Sequence, residues 1–399
     1  MTAPARSNTR AGVRFGIDAL LAEPGRFLDG RRVALLANQS SLTTDGTPTL
    51  EALRAAHGIE LVALLTPEHG WSGFEDDATP VDDRRDPRTG LAVHSLYGPR
   101  RRPSADVLRA LDAVVVDLQE VGVRCYTYAT TAALLCEAAA ATGTRVVVCD
   151  RPSLSGPRVD GPALDPALRS FLGYLDVPYQ HGRTIGEVVA WGTRHLDVDL
   201  RVAPVAGGSR GDPAPRPFVP PSPGLPTLES VALYPGLVLL EGTNLSEGRG
   251  TTLPFGLIGA PWLEGYAFAR ALAALELPGL RYRPVTFRPR SDRHAGAVCE
   301  GVQLHVTDAA ALRPLEAVVR ILAHVRDAHP EFAWTDAATL PWARLPGAGE
   351  PWFEPVRGAL VDALTGDASV RAVVDGARGW DEVAAAWAAD AGAWAGAAG

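Results

Sequence analysis

Lysine is absent from this chain: all 38 residues counted as lysine or arginine are arginine. That excludes Schiff-base chemistry, a covalently held pyridoxal phosphate and a phosphate loop of the ordinary lysine-bearing kind. Methionine occurs once, at position 1, and both shortages read as compositional bias. Cysteine is sparse. The four, at 125, 136, 149 and 299, form no CxxC pair, and Cys149 lies inside an apolar run. They read as free buried thiols of a reducing compartment and not as a zinc site. No apolar run approaches the roughly 20 residues that a membrane-spanning helix needs. The opening stretch, MTAPARSNTRAGVRFG, has no apolar core of the secretion-signal type, so a cytoplasmic protein is expected. Positive charge is also in short supply. A net charge of −8 argues against nucleic-acid binding, although a local arginine can still hold a small anion in a cleft.

What is present suffices for a packed core. Hydrophobic residues make up 46% and charged residues 21% of 399, enough for two domains. Short apolar runs recur at 32–37, 61–65, 113–118 and 145–149. Helical spacing separates them at 47–57, 104–111 and 126–141, after a first helix at 16–21. Continuous apolar strands alternating with helices predict an α/β fold with a doubly wound, mainly parallel sheet. A helix at 184–196 opens with Thr184 and Glu187 in capping-box spacing, so Glu187 reads as a cap. Residues 71–90 and 205–226 read as loops, and 237–240 as a further buried strand. From 263 the pattern changes to a helix at 263–276, strands at 281–288 and 297–306, and helices near 311–326, 355–364 and 380–389. The expected organisation is a catalytic α/β domain over 13–262 and a smaller α+β C-terminal domain over 263–399.

Polar residues follow each apolar run, and such loops gather at the carboxyl edge of a parallel sheet, where ligands bind. The first run leads to Asn38 and Gln39. The second leads to Glu68 and His69, and partial desolvation there suits Glu68 to general acid work. The third leads to Glu120, then Arg124, which could clamp it or bind an anion, and Tyr126 and Tyr128, which could wall a sugar site or start a helix. The fourth leads to Asp150 and Arg151, a structural pair or a functional one. His181 precedes the capped helix. The densest polar loop, 241–252, carries Glu241, Asn244, Glu247, Arg249 and Thr251 and reads as one wall of the cleft. Two motifs fail. The GxSxG string at 207–211 is followed by Pro213, Pro215 and Pro217 where a nucleophile elbow needs a helix. No GxGxxG follows the first strand, which weakens a nicotinamide reading.

Eight stretches carry a resemblance: LLANQSSL (35–42), TPEHGWSG (66–73), SLYGPRRRPS (95–104), DLQEVGVRCYTY (117–128), DRPSLSG (150–156), VDGP (159–162), HGRTIGE (181–187) and EGTNLSEGRGTTLPFGLIGAPW (241–262). Over about 16–387 the chain resembles the exo-β-N-acetylmuramidase family of bacterial cell-wall glycosidases. The resemblance implies a Rossmann-like domain, a smaller C-terminal domain and a cleft between them. It implies release of terminal β-1,4-linked N-acetylmuramic acid from muropeptides or disaccharides in cell-wall recycling, without cofactor or metal. The family's catalytic glutamate falls on Glu68, and a family aspartate is replaced by Glu120, which competes with Glu247 for the second catalytic role. Arg124, Arg151 or Arg249 would meet the lactyl carboxylate of muramic acid. A non-catalytic muropeptide-binding protein and a hydrolase of another bond, amide or ester, are the alternatives.

Overall fold

The computed structural model describes residues 12–76, 79–207, 218–339 and 358–397. The first half runs α1 (Gly16–Ala22), a short α2 (Pro24–Phe27), β1 (Arg32–Ala37), α3 (Thr49–Ala55), β2 (Glu60–Thr66), a two-residue β3 (Arg84–Arg85), β4 (Ala92–Ser95), α4 (Ala105–Arg109), β5 (Ala113–Asp117), α5 (Tyr128–Ala140), β6 (Arg145–Cys149), the paired β7 (Val159–Asp160) and β8 (Gln180–His181), α6 (Ile185–Gly192) and β9 (Leu200–Ala203). Seven strands form one sheet in the order β3-β4-β2-β1-β5-β6-β9, parallel except where β3 meets β4. Its six parallel strands, counted along the chain, follow the 3-2-1-4-5-6 order of Rossmann-type sheets, which reverses direction between β1 and β5.

The apolar runs explain the layering. Val33, Leu35 and Ala37 of β1 enter one core with Phe15, Ile17 and Leu20, while Ala34 and Leu36 enter the other with Leu135 and Cys136 of α5. Side chains alternate between the faces of a strand, and here both faces are covered, so no polar residue interrupts the run. All four cysteines are buried and free.

The second half contains α7 (Leu228–Leu237), a 3-10 turn (Val238–Gly242), β10 (Leu257–Ala260), α8 (Gly265–Ala273), β11 (Leu280–Phe287), β12 (Cys299–Val306), α9 (Pro314–Ala328), α10 (Leu360–Thr365), α11 (Ser369–Val374) and α12 (Trp380–Ala397). A three-stranded antiparallel sheet has the order β10-β12-β11. The strand expected at 237–240 is instead the last residue of α7 and the start of the 3-10 turn. Those four residues are buried on every side, and a helix buried all round gives the same short apolar run as a buried strand. Pro235 sits inside α7, and the main-chain carbonyl of Pro235 accepts the Tyr179 hydroxyl at 2.7 Å.

The chain end returns to the first half. The Trp394 ring of α12 meets Trp191 edge-on at 5.0 Å, its indole donates to the His181 carbonyl at 2.9 Å, and Asp390 accepts the Ala163 amide at 3.0 Å. No helix among the described residues is long and apolar enough to cross a membrane.

Candidate active site

A cleft of about 490 Å³ opens at the carboxyl edge of the large sheet, a volume in the range of small-molecule sites. It is lined by His69, Asp76, Thr79, Pro80, Ser222–Gly224, Glu241, Glu247, Arg249–Thr251, Pro254, Ser291–Arg293 and Leu360. The lining thus draws on both halves of the sequence.

The loop after β2 is held by its backbone. His69 adopts a left-handed conformation (φ 69°), its Nδ1 meets the Glu75 carbonyl at 2.9 Å, and Gly70 and Gly73 also take positive φ. Beside His69, Glu68 is half-buried. Its Oε2 accepts the Thr127 hydroxyl at 2.8 Å, and the Tyr97 hydroxyl shares a second hydrogen bond with it. Burial and the Glu68 charge both push the Tyr97 hydroxyl well above the ordinary tyrosine range, so it stays a donor. Behind Tyr97 lies Arg101, 5% exposed, its guanidinium 3.9 Å from the Tyr97 ring centroid and 4.4 Å from that of Phe171. Desolvation lowers the Arg101 pKa, opposed by Tyr97 and Glu68.

The aromatic residues form a column. Tyr128 and Tyr126 lie 4.6 Å apart, Tyr126 meets Tyr234 edge-on at 5.9 Å, and Tyr234 meets Phe255 at 5.0 Å. Burial raises the pKa of Tyr126, Tyr128 and Tyr234, keeping these phenols neutral. Arg249 caps the column, 4.7 Å from the Phe255 ring centroid, and pairs with Glu241 and, at 3.4 Å, with Glu247. Tyr128 donates to the Pro221 carbonyl at 2.8 Å and accepts from Asn38 Nδ2 at 2.9 Å; Gln39 Nε2 donates to the Pro220 carbonyl at 2.8 Å. Asn38 and Gln39 therefore anchor the 220–224 loop that lines the cleft.

Other residues expected at the site are committed elsewhere. Arg124 is buried, and its guanidinium donates to the main-chain carbonyls of Pro162, Val177 and Thr365. It neither clamps Glu120 nor faces the cleft. Burial lowers its pKa to about 10. The side chains of Asp150 and Arg151 form no ion pair with each other, although Asp150 accepts the Arg151 amide at 3.0 Å. Arg151 binds the buried Asp117 through Nε at 2.5 Å, whereas Asp150 accepts the Gly186 amide and the Thr184 hydroxyl, both at 2.8 Å, at the start of α6. Glu187 completes the expected capping box with Thr184. Glu120 is 1% exposed, accepts the Gly122 amide and lies 3.5 Å from His181 Nε2, which is equally buried. Because His181 Nδ1 accepts the Arg183 amide at 3.2 Å, a neutral imidazole carries its proton on the Nε2 facing Glu120. Asn244 fastens the cleft loop to residues 331–333, its Nδ2 donating to the Glu331 carbonyl at 2.7 Å and its Oδ1 accepting the Ala333 amide at 3.0 Å. Thr251 lines the cleft with its hydroxyl bonded to the Gly248 carbonyl at 2.6 Å.

Tyr97, Arg101, Tyr234, Asp292 and Arg293 escape the reading by sequence. Tyr97 and Arg101 fall in the quoted stretch 95–104, the signal that could have found them; Asp292 and Arg293 fall in none.

A Rossmann-order sheet beside a cleft lined by carboxylates and guanidinium groups defines an α/β protein with a polar cleft of small-molecule size. Comparison with known proteins narrows the class. Residues 33–229 match the description "Exo-beta-N-acetylmuramidase NamZ, N-terminal", and residues 232–397 match "Exo-beta-N-acetylmuramidase NamZ, C-terminal". The peptidoglycan beta-N-acetylmuramidase NamZ of Bacillus subtilis (strain 168) is 38% identical over 325 residues, covering 80% of this chain and 78% of that protein. Two crystal structures of DUF1343 family proteins from Bacteroides fragilis NCTC 9343 share the fold. One has a TM-score of 0.82 at 28% identity over 97% of both chains, the other 0.70 at 28% identity over 96% of both. The chain belongs to the exo-β-N-acetylmuramidase NamZ family, a family of glycosidases.

Proposed function

We propose that this protein is a glycoside hydrolase that releases terminal, non-reducing β-1,4-linked N-acetylmuramic acid from peptidoglycan fragments, in cell-wall turnover, inside the cell. The observation that carries this reading is the half-buried Glu68, oriented by Thr127 and Tyr97 beside a cleft lined by further carboxylates. Glycosidic hydrolysis needs one carboxyl to protonate the leaving oxygen and a second group on the other face of the sugar. Glu68 takes the first role. Glu247 or Glu241, both of which line the cleft, takes the second more readily than Glu120, which does not line it. Glu120, paired with His181, then supports the strand-end loops, and Asn38, Gln39 and Tyr128 hold the 220–224 loop against the cleft.

The test uses the β-1,4 disaccharide of N-acetylmuramic acid and N-acetylglucosamine together with a 4-nitrophenyl N-acetylmuraminide. Wild type should cleave both. Glu68→Gln should lose roughly 100- to 10,000-fold in kcat on the disaccharide, the range of general acid catalysis. It should lose less on the nitrophenyl glycoside, whose leaving group departs without a proton. Undiminished disaccharide cleavage by Glu68→Gln would remove it as the acid. Binding of the disaccharide by wild type without turnover would favour a muropeptide-binding protein.

A further inference from the structure

We propose that Arg293 is the residue that reads the carboxylate of the substrate's lactyl ether, a specificity determinant that rests on the function proposed above. Among the described residues, two arginines line the cleft, Arg249 and Arg293. Arg249 is already neutralised by Glu241 and Glu247. Arg293 donates from Nη2 to the Glu241 carbonyl and to the Thr335 hydroxyl, each at 3.2 Å, and both partners are uncharged. Among the described residues it forms no ion pair with a carboxylate. Asp76 and Asp292 add further negative charge to the lining. A substrate carboxylate therefore needs a cation whose charge is not already spoken for, and Arg293 supplies one.

The backbone around Arg293 supports this independently. Its neighbours Asp292 (φ 64°) and His294 (φ 61°) both lie in the left-handed region, which non-glycine residues seldom enter. Such conformations persist where the surroundings over-determine them, and they concentrate at ligand-binding sites. Here the surroundings are explicit. The Arg290 amide donates to the Gly250 carbonyl at 2.8 Å, the Gly296 amide to the Pro289 carbonyl at 2.8 Å, and His294 Nε2 meets the Asn244 carbonyl at 2.8 Å. Gly250 packs so tightly under the turn that a Cβ there would stand 2.3 Å from the Ser291 carbonyl oxygen. The turn thus fixes the stem of Arg293 on the loop that carries Glu247 and Arg249.

The experiment measures binding, so that it stands apart from turnover. Titration calorimetry with N-acetylmuramic acid and with its lactyl methyl ester, which lacks the charge, is run on wild type, Arg293→Met and Arg293→Lys. Wild type should prefer the acid about 10- to 100-fold, the worth of a charge-assisted pair. Arg293→Met should bind both sugars with the affinity wild type shows for the ester, and Arg293→Lys should keep part of the preference. A wild type that binds acid and ester equally, or an Arg293→Met that keeps the full preference, overturns the assignment. If Arg293→Met fails to fold, an undiminished preference in Arg293→Lys overturns it, because an ammonium lacks the two-pronged geometry. Failed disaccharide cleavage by wild type with the acid preference intact would instead count against the hydrolase reading.

Discussion

Glu68 is positioned by groups from two separate stretches: Thr127 at the start of α5, and Tyr97 from the segment after β4, with Arg101 behind it. Each donor favours one orientation of the carboxyl. Tyr97→Phe removes one of them and keeps the ring packing against Phe171 and Arg101. Losing a hydrogen bond to a charged group is worth about 1.5–3 kcal/mol, so kcat/KM on the disaccharide should fall at least tenfold. Unchanged circular dichroism and thermal melting would confirm that only the donor was lost, and unchanged kcat/KM would remove Tyr97 from the site. The residue scale is also where the sequence was least legible. Glu68 could be singled out because it follows the apolar run 61–65. Arg124 looked the same from its neighbours, yet its three carbonyl partners come from positions 162, 177 and 365, far along the chain. Arg293 left no mark, since its importance comes from backbone angles and from the neutralisation of Arg249.

Among the elements, α6 depends on Asp150. Burial raises the Asp150 pKa to about 6, even though the Gly186 amide, the Thr184 hydroxyl and the Arg151 amide pull it down. The sign follows from linkage. With a folded pKa above the unfolded value of about 3.9, the folded state holds the proton more tightly. The stabilisation is fully present below about pH 4 and disappears as pH rises through 6. The stability of wild type, measured by urea unfolding, should therefore fall relative to Asp150→Asn between those values, by on the order of 3 kcal/mol. A constant difference across that window would show that Asp150 does not carry the proton. Strands and helices of the large sheet were legible because β1, β5 and β6 are buried on both faces and α5 is long. Residues 237–240 were misread because burial on all sides erases the period that separates helix from strand. β9 and β10, four residues each, went unnoticed: Arg201 breaks the apolar run of the first, and the second continues a glycine-rich loop.

For the whole molecule, Arg124 is a tie. It joins residues 162 and 177 of the first half to Thr365 at the end of α10, and Gly366 is required beside it because a Cβ there would stand 2.6 Å from Nη2. Arg124→Met strands three carbonyls and should cost roughly 3 kcal/mol. The measurement is chemical unfolding, in which this variant should melt earlier while its kcat per folded molecule stays near wild type. A large fall in kcat at full stability would return Arg124 to the substrate.

The clasp made by α12 has a consequence for how the protein comes into being. Trp394 and Asp390 grip Trp191, His181 and Ala163, residues made some two hundred positions earlier. A chain emerging from the ribosome can assemble the large sheet first, since domains fold as units from the amino end. The face that holds Trp191 then waits uncovered until the last helix arrives. The lining residues from both halves must likewise be present before the cleft exists. A growing chain therefore carries Glu68 long before the cleft beside it exists, and stalled or shortened chains would be apolar on that face, a natural target for quality control.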